Sequence, residues 1–323
     1  MKKFSLFEKD DLVWSGNSVF EPSGPFLPRS PNLEMMGQDA GAMIYGQCSQ
    51  RHERGGRGFS SVSFRFEPED NTVMNFFRTL VGGQSRDINY NIAQFLNMIA
   101  RTIVVEGRFI YELQIGRDKD SQKIVEMNFS PVSAPGSRMF VFGSHVIQLL
   151  PSSIAKEYSC SRIRTLNPDN TFIFQAPSRW RQALGKVRSN LHFYDAMEHC
   201  LMDQVTNSLT LDKQRLCTYD HSSNLKMLAK ATVPLGWLGR GLFHGYQNDY
   251  LGVERQIRWN SFCVDLRNHM ILSLKAAVDR IAAILNADCQ LIVEETSEYS
   301  LEDVRKKLNE GKTSTVELVR LLF

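Results

Sequence analysis

His192, Asp195, Glu198 and His199 lie close together in a stretch whose apolar spacing is helical. Asp195 and His199 are four apart, so they share a helix face and could hold a metal ion or pass a proton. A solvated face carrying one acid–base pair explains the same residues equally simply. Cys48 with His52 could be drawn as a thiol and its base, and Asp220 precedes His221, but neither pair comes with a third group at a fixed spacing. The spacings of a phosphate loop, a nucleophile elbow and a zinc-protease helix are all missing. GWLGRGLFHG, residues 236 to 245, is glycine-rich but follows a proline instead of a strand, and it has no lysine placed for phosphates. The cysteines (Cys48, Cys160, Cys200, Cys217, Cys263, Cys289) form no C-x-x-C pair, which argues against a zinc site or a disulfide framework. Cys200 and Cys263 fall inside apolar helical patterns and read as core residues. These residues make a weak case for catalysis. Neither a metal nor a cofactor is expected.

Basic residues are more suggestive. Arg179, Arg181, Lys186 and Arg188 open one long helical pattern, and Lys213, Arg215, Lys226, Lys230 and Arg240 follow against only Asp212 and Asp220. Phosphate contacts need no more than such a cluster, although an ordinary solvated surface would look the same. The net charge of +3 over 323 residues is too small to argue for nucleic acid by itself. A composition 42% hydrophobic and 23% charged is that of a globular chain with a sizeable core. No apolar run is long enough to cross a bilayer, and acidic residues interrupt MKKFSLFEKDDLVW where a signal peptide would be apolar. Synthesis in the cytoplasm and no membrane partner are the expectation.

The elements that must position these residues can be read from periodicity. Residues 1 to 56 carry many breakers, including four prolines in EPSGPFLPRSPN, and read as an extended arm. Val62, Phe64 and Phe66 alternate with Ser61, Ser63 and Arg65 as in a half-buried strand. Asn71 or Thr72 could cap a short helix. A longer helix starts near Asp87 with Ile88, Ile92, Phe95, Leu96, Ile99 and Ile103 as its stripe, and Gly107 sits where a terminating glycine belongs. The period then changes from 3.6 to 2, and 108–115 returns through GRDKDSQ as KIVEMNF, a β-hairpin. MFVF, HVIQLLP and TFIFQAP are short strands. A long helix follows Pro177-Ser178, a second covers roughly 253 to 285, and between them lie LKMLAKA and a Gly-rich loop. CQLIVEE is a strand, and Ser300 and Ser314 begin two small capped helices.

This order resembles the portal proteins of tailed bacteriophages, of the family common among siphophages. The likeness covers residues 70 to 322. NIAQFLNMIARTIVVEGRFIYELQIGRDKDSQKIVEMNFSPV is similar to the family's helix, glycine and hairpin, and TFIFQAPSRWRQALGKVRSNLHFYDAM to its strand, proline and long helix. ATVPLGWLGRGLFHGYQNDYLGVERQIRWNSFCVDL stands where the family has its channel loop, and LEDVRKKLNEGKTSTVELVRLL where it ends.

The resemblance implies an α+β fold: an extended arm (1–56), a small αβ wing with a hairpin and short strands (57–178), a long helix with a curtailed connection and channel loop (179–252), and a second long helix with a strand and small helices (253–323). It implies a ring of about a dozen copies, joined head to tail, with the long helices lining a passage for double-stranded DNA. Arg240 and His244, with Lys230 at the base of the loop 233–252, would approach the DNA without reading its sequence, and the loop's glycines would give mobility. The partners implied are other copies, duplex DNA, the capsid, the packaging motor and the head–tail connector, in a virion. The chain is shorter than the family leads one to expect, which would reduce the clip that meets the motor. Two readings stand beside this one: a non-enzymatic αβ scaffold of another assembly, and an enzyme with a site near Asp195 and His199.

Overall fold

The computed structural model describes residues 12–15, 30–48, 60–79, 87–132, 138–208, 221–239, 250–297 and 301–311. In chain order the elements are β1 (Leu12–Ser15), α1 (Pro31–Cys48), β2 (Ser60–Glu67), α2 (Asn71–Thr79), α3 (Ile88–Glu106), β3 (Arg108–Asp118), β4 (Ile124–Pro131), β5 (Arg138–Phe142), β6 (His145–Leu149), α4 (Ser152–Glu157), β7 (Ile163–Leu166), β8 (Thr171–Gln175), α5 (Ser178–Ser208), α6 (His221–Thr232), α7 (Tyr250–Leu285), β9 (Gln290–Ser297) and α8 (Leu301–Asn309). The fold is mixed α+β, with small antiparallel sheets.

Gly107 meets the demand that the change of period makes on it. Its φ of 88° is left-handed, and its N–H donates to the Ile103 carbonyl at 2.7 Å, so α3 stops and β3 begins one residue later. Asp87 caps the other end of α3 by accepting from Asn89 N–H at 2.9 Å. The cap of α2 is neither Asn71 nor Thr72. It is Asp70, whose carboxylate accepts from Val73 N–H at 3.0 Å. Outside residues 1–56, the six-residue α4 and the four-residue β7 gave no usable pattern in the sequence.

Contacts divide the described residues into two units, one drawn from Met1–Pro28 and Phe109–Phe174, the other from Arg29–Arg108 and Gln175–Phe323. The expected wing at 57–178 is therefore not one body. The chain enters the smaller unit after α3 and leaves it before α5.

In the larger unit α1 corrects the reading of residues 1–56 as an extended arm. Leu33, Met36, Gly37, Ala40, Gly41, Ile44, Gln47 and Cys48 recur at helical steps and are all buried. Four of them are Gly, Ala or Gln, which carry no apolar signal. The smallness of the two glycines is what the packing uses. A Cβ on Gly37 would lie 3.0 Å from Val105 Cγ2 and 3.1 Å from the Arg101 carbonyl, and one on Gly41 3.0 Å from the Asn97 carbonyl. Paired positions 37 with 101 and 41 with 97 make α1 and α3 antiparallel, and Tyr45 meets Tyr90 edge to face further along. Ser30 caps α1, accepting from Leu33 N–H at 3.2 Å, with Pro31 in the first helical position.

α7 supplies the rest of this core through Phe262, Cys263, Leu266, Met270, Leu274 and Ile281. It also buries Arg267 completely, and that guanidinium donates to Gln47 Oε1 at 3.4 Å, to Asn268 Oδ1 and to Glu295. Beside them β2 and β9 pair antiparallel, Val62 opposite Glu295 and Glu67 opposite Gln290, with Val62, Phe64 and Phe66 turned inward as the alternation predicts.

The smaller unit is built on β3. It pairs with β1, β4 and β8. The expected hairpin is present, and Ile110, Tyr111, Glu112, Leu113 and Ile115 are all buried, so this strand is covered on both faces. Tyr111 stacks on Phe129 of β4 with centroids 4.4 Å apart, and burial pushes its phenol pKa far up. The hairpin turn is tied by Asp118, which accepts from Asp120 N–H at 3.1 Å and Ser121 N–H at 2.7 Å; these bonds lower its pKa. A second sheet, β5–β6–β7, turns Met139, Val141, Val146 and Leu166 toward Ile110 and Val132. Its other face leaves Phe140, Phe142 and Ile163 in water, at 42%, 63% and 62% exposure.

Candidate functional site

The Gly-rich stretch between the long helices starts as a turn held from several sides. Thr232 Oγ1 donates to the Trp237 carbonyl at 2.6 Å, closing the segment into a loop. Arg255, early in α7, bonds through one Nη2 to the carbonyls of Ala229 and Trp237 and to Thr232 Oγ1, each at 2.9 Å. Arg258 reaches the Val233 carbonyl at 3.3 Å, and Asn190 of α5 the Ala231 carbonyl at 3.2 Å. Trp237 is buried and donates its indole N–H to Asp39 of α1 at 3.0 Å. Chain carbonyls that leave a helix end need donors, and here two arginines supply them.

The glycines of this turn serve geometry. Gly236 and Gly239 have φ of 81° and 69°, and a Cβ on Gly236 would strike the Arg255 carbonyl and lie 3.0 Å from Trp259 N. Residues 235 to 239 are all buried. The expectation that the loop's glycines give mobility is therefore wrong for Gly236 and Gly239. Lys230 lies exposed on the last turn of α6, at the foot of the turn. Arg240 and His244 lie outside the described residues.

The same end of α7 forms a cleft of about 330 Å³, lined by Arg179, Trp180, Glu254, Ile257, Arg258, Ser261 and Arg305. Arg305 of α8 pairs with Glu254 at 2.8 Å, and Arg258 approaches the same carboxylate at 4.0 Å. Arg179 pairs with Asp265 and lies 5.3 Å from the ring centre of Trp180, whose indole N–H also donates to Asp265. Of the basic residues that open α5, Arg179 belongs to this cleft. Arg188 is spent on the fold: half-buried, it donates to the Val105 carbonyl at 2.9 Å beside Gly107, and burial lowers its pKa. Arg181 acts on His269 of α7, whose pKa is lowered by burial first and by that charge second.

Asp195 also has structural work. It accepts from Ser30 Oγ, from Asn32 N–H at 3.3 Å and from the Asn32 side-chain amide, fastening the start of α1 to α5. Its partners are those of a cap, and the side chain of His199 lies outside the described residues. Cys48 is buried, and its pKa is pushed up to about 12 by desolvation, with Arg267 opposing; His52 lies outside the described residues. Cys263 is buried as expected, whereas the side chain of Cys200 is outside what the structure describes. Among the described residues no three His, Cys, Asp or Glu side chains gather as metal ligands. Among the same residues no helix is long and apolar enough to cross a membrane.

Sequence reasoning had Arg179 and Lys230 but missed Arg255, Arg258 and Arg305. Arg255 and Arg258 gave no local signal, because the carbonyls they reach lie 18 to 26 residues earlier in the chain. Arg305 gave none, because its place beside Glu254 depends on the return of β9. No family model, curated protein or solved structure matches this chain.

Proposed function

We propose that this chain is the subunit of a portal-like ring, a non-enzymatic assembly that gives double-stranded DNA a passage at a capsid vertex. The observation that carries the reading is the clamped turn 232–239 between two long helices. A loop that must meet moving DNA needs a rigid stem, and Arg255, Arg258, Thr232 and Trp237 make one. On this reading the loop 233–252 is turned toward the DNA, with Lys230 at its base and Arg240 and His244 beyond it as backbone contacts that read no sequence. The modest charge suits the task, because a passage that bound phosphates tightly would stall what it conducts. The partners proposed are other copies of the chain, duplex DNA, the capsid, the packaging motor and the head–tail connector.

The enzyme reading keeps Asp195 and His199 as its first suspects, although Asp195 already accepts from Ser30 and Asn32. Mass photometry with negative-stain imaging tests the ring. Particles of about a dozen subunits with a central hole are expected. A monomer or dimer at micromolar concentration overturns the proposal.

A further inference from the structure

The arginine cleft holds more positive charge than its own carboxylates cancel. Glu254 alone serves Arg305 and Arg258, and Asp265 is shared between Arg179 and Trp180. The arginines remain 63%, 38% and 57% exposed at residues 179, 258 and 305. Lys306 and Lys307 extend the positive charge along α8. Ion pairs this open are weak and can be exchanged for others.

The opposite charge collects at the far end of the same helix. From Arg258 to Leu285, α7 runs about 40 Å at the usual rise per residue. Beyond it Asp288 is exposed, and β9 then pairs its first residue with Glu67. Glu67 and Glu69 are exposed, Glu67 in an open and exchangeable ion pair with Arg65 at 2.9 Å, and Asp70 and Asp288 both act on Cys289. Helix stability does not explain this layout. A helix is partly positive at its start and partly negative at its end, so guanidiniums at the start and carboxylates past the end both oppose it. Nor can the two ends neutralise each other within one molecule, because about 40 Å is several times the ~10 Å screening length at 0.1 M salt.

We infer that the cleft of Arg179, Arg258 and Arg305 receives the acidic end of a second copy of this chain, through Glu67, Glu69 and Asp288. The contact joins two different surfaces, so each copy offers one unsatisfied face until the series closes. This rests on the ring reading, and supplies the join that such a ring requires.

The test uses the full-length chain and two charge-reversed variants, Arg258→Glu/Arg305→Glu and Glu67→Lys/Glu69→Lys/Asp288→Lys, followed by mass photometry as salt rises. The expected result is that wild-type particles dissociate in high salt and that each variant alone stays monomeric. An equimolar mixture of the two regains wild-type-sized particles, because the reversed cleft of one now fits the reversed end of the other. Circular dichroism checks that each variant is folded. Arg305→Glu alone, which removes the ion pair to Glu254, replaces the double variant if that does not fold. Wild-type-like assembly of either variant, or a mixture of folded variants that stays monomeric, overturns the inference and leaves the ring reading standing. So does a cleft variant that assembles normally and loses only its retention of a duplex DNA probe. A wild-type chain that forms no assembly at any salt overturns both.

Discussion

The two units specify one shape with different emphases, although the smaller also buries polar side chains, Glu112 and Gln148. The larger unit builds polar groups into its core: Arg267 bonded to Gln47 and Glu295, Trp237 to Asp39, Asp195 to Ser30 and Asn32. Each bond joins segments far apart in sequence, so a slip of α1 by one turn would strand several buried donors at once. The smaller unit relies on strand register and aromatic stacking, with Tyr111 on Phe129 and Phe129 against Phe172. It leaves Phe140, Phe142 and Ile163 on an open sheet face. The contrast teaches that fixing α1, α5 and α7 against one another matters more to this molecule than maximal apolar burial. Those helices are the ones that hold the turn at 232–239.

The largest way to break the comparison is Arg267→Ala. It leaves Gln47 buried without its donor and opens a cavity, and should cost about 3–5 kcal/mol in urea unfolding. Arg267→Met should cost clearly less, since an apolar side chain of similar length removes the charge together with its desolvation penalty. Equal losses in the two variants would show that the ion pair does not matter as argued.

Gly41→Ala sharpens the role of the α1–α3 seam. The added methyl meets the Asn97 carbonyl and should cost about 1–3 kcal/mol. Gly46→Ala, in the same helix but facing open space, should instead stabilise by roughly 0.5–1 kcal/mol, the helix propensity difference. The pair of unfolding curves separates close packing from propensity.

The last effect is shared by both units and appears only in alkali. Cys48 has its pKa raised from 9.0 to about 12 in the folded protein. The folded state therefore keeps a proton that the unfolded state loses. The stability it contributes is complete below pH 9.0 and disappears as pH rises toward about 12. Tyr111 acts in the same direction in the smaller unit, so tyrosinate absorbance at that site should appear only on unfolding. Thiol labelling of Cys48 and Cys263 should likewise wait for unfolding.

Much of the fold was legible because it follows strong local rules. The period change at Gly107, the stripe of α3, the hairpin and both long helices each declare themselves within a few residues. What escaped depends on distance. α1 was hidden because half of its buried face is written in Gly, Ala and Gln, and the value of its glycines appears only when α3 arrives within a methyl's width. Asp195 looked like chemistry because its partners, Ser30 and Asn32, lie some 160 residues away. The glycines at 236 and 239 looked mobile because nothing local shows Arg255 reaching back to close the turn.

The seam between α1 and α3 also has a consequence for the order of events during synthesis. Its partners lie within one short stretch of the N-terminal third, so both helices have left the ribosome long before Arg267 is made. Helix pairing on that scale is fast compared with chain elongation. The nascent chain can therefore carry a preassembled two-helix platform, with the Gln47 and Asp39 side chains waiting for donors that arrive much later. A stall placed after residue 130 should already protect α1 from proteolysis, whereas one placed before Asn89 should not.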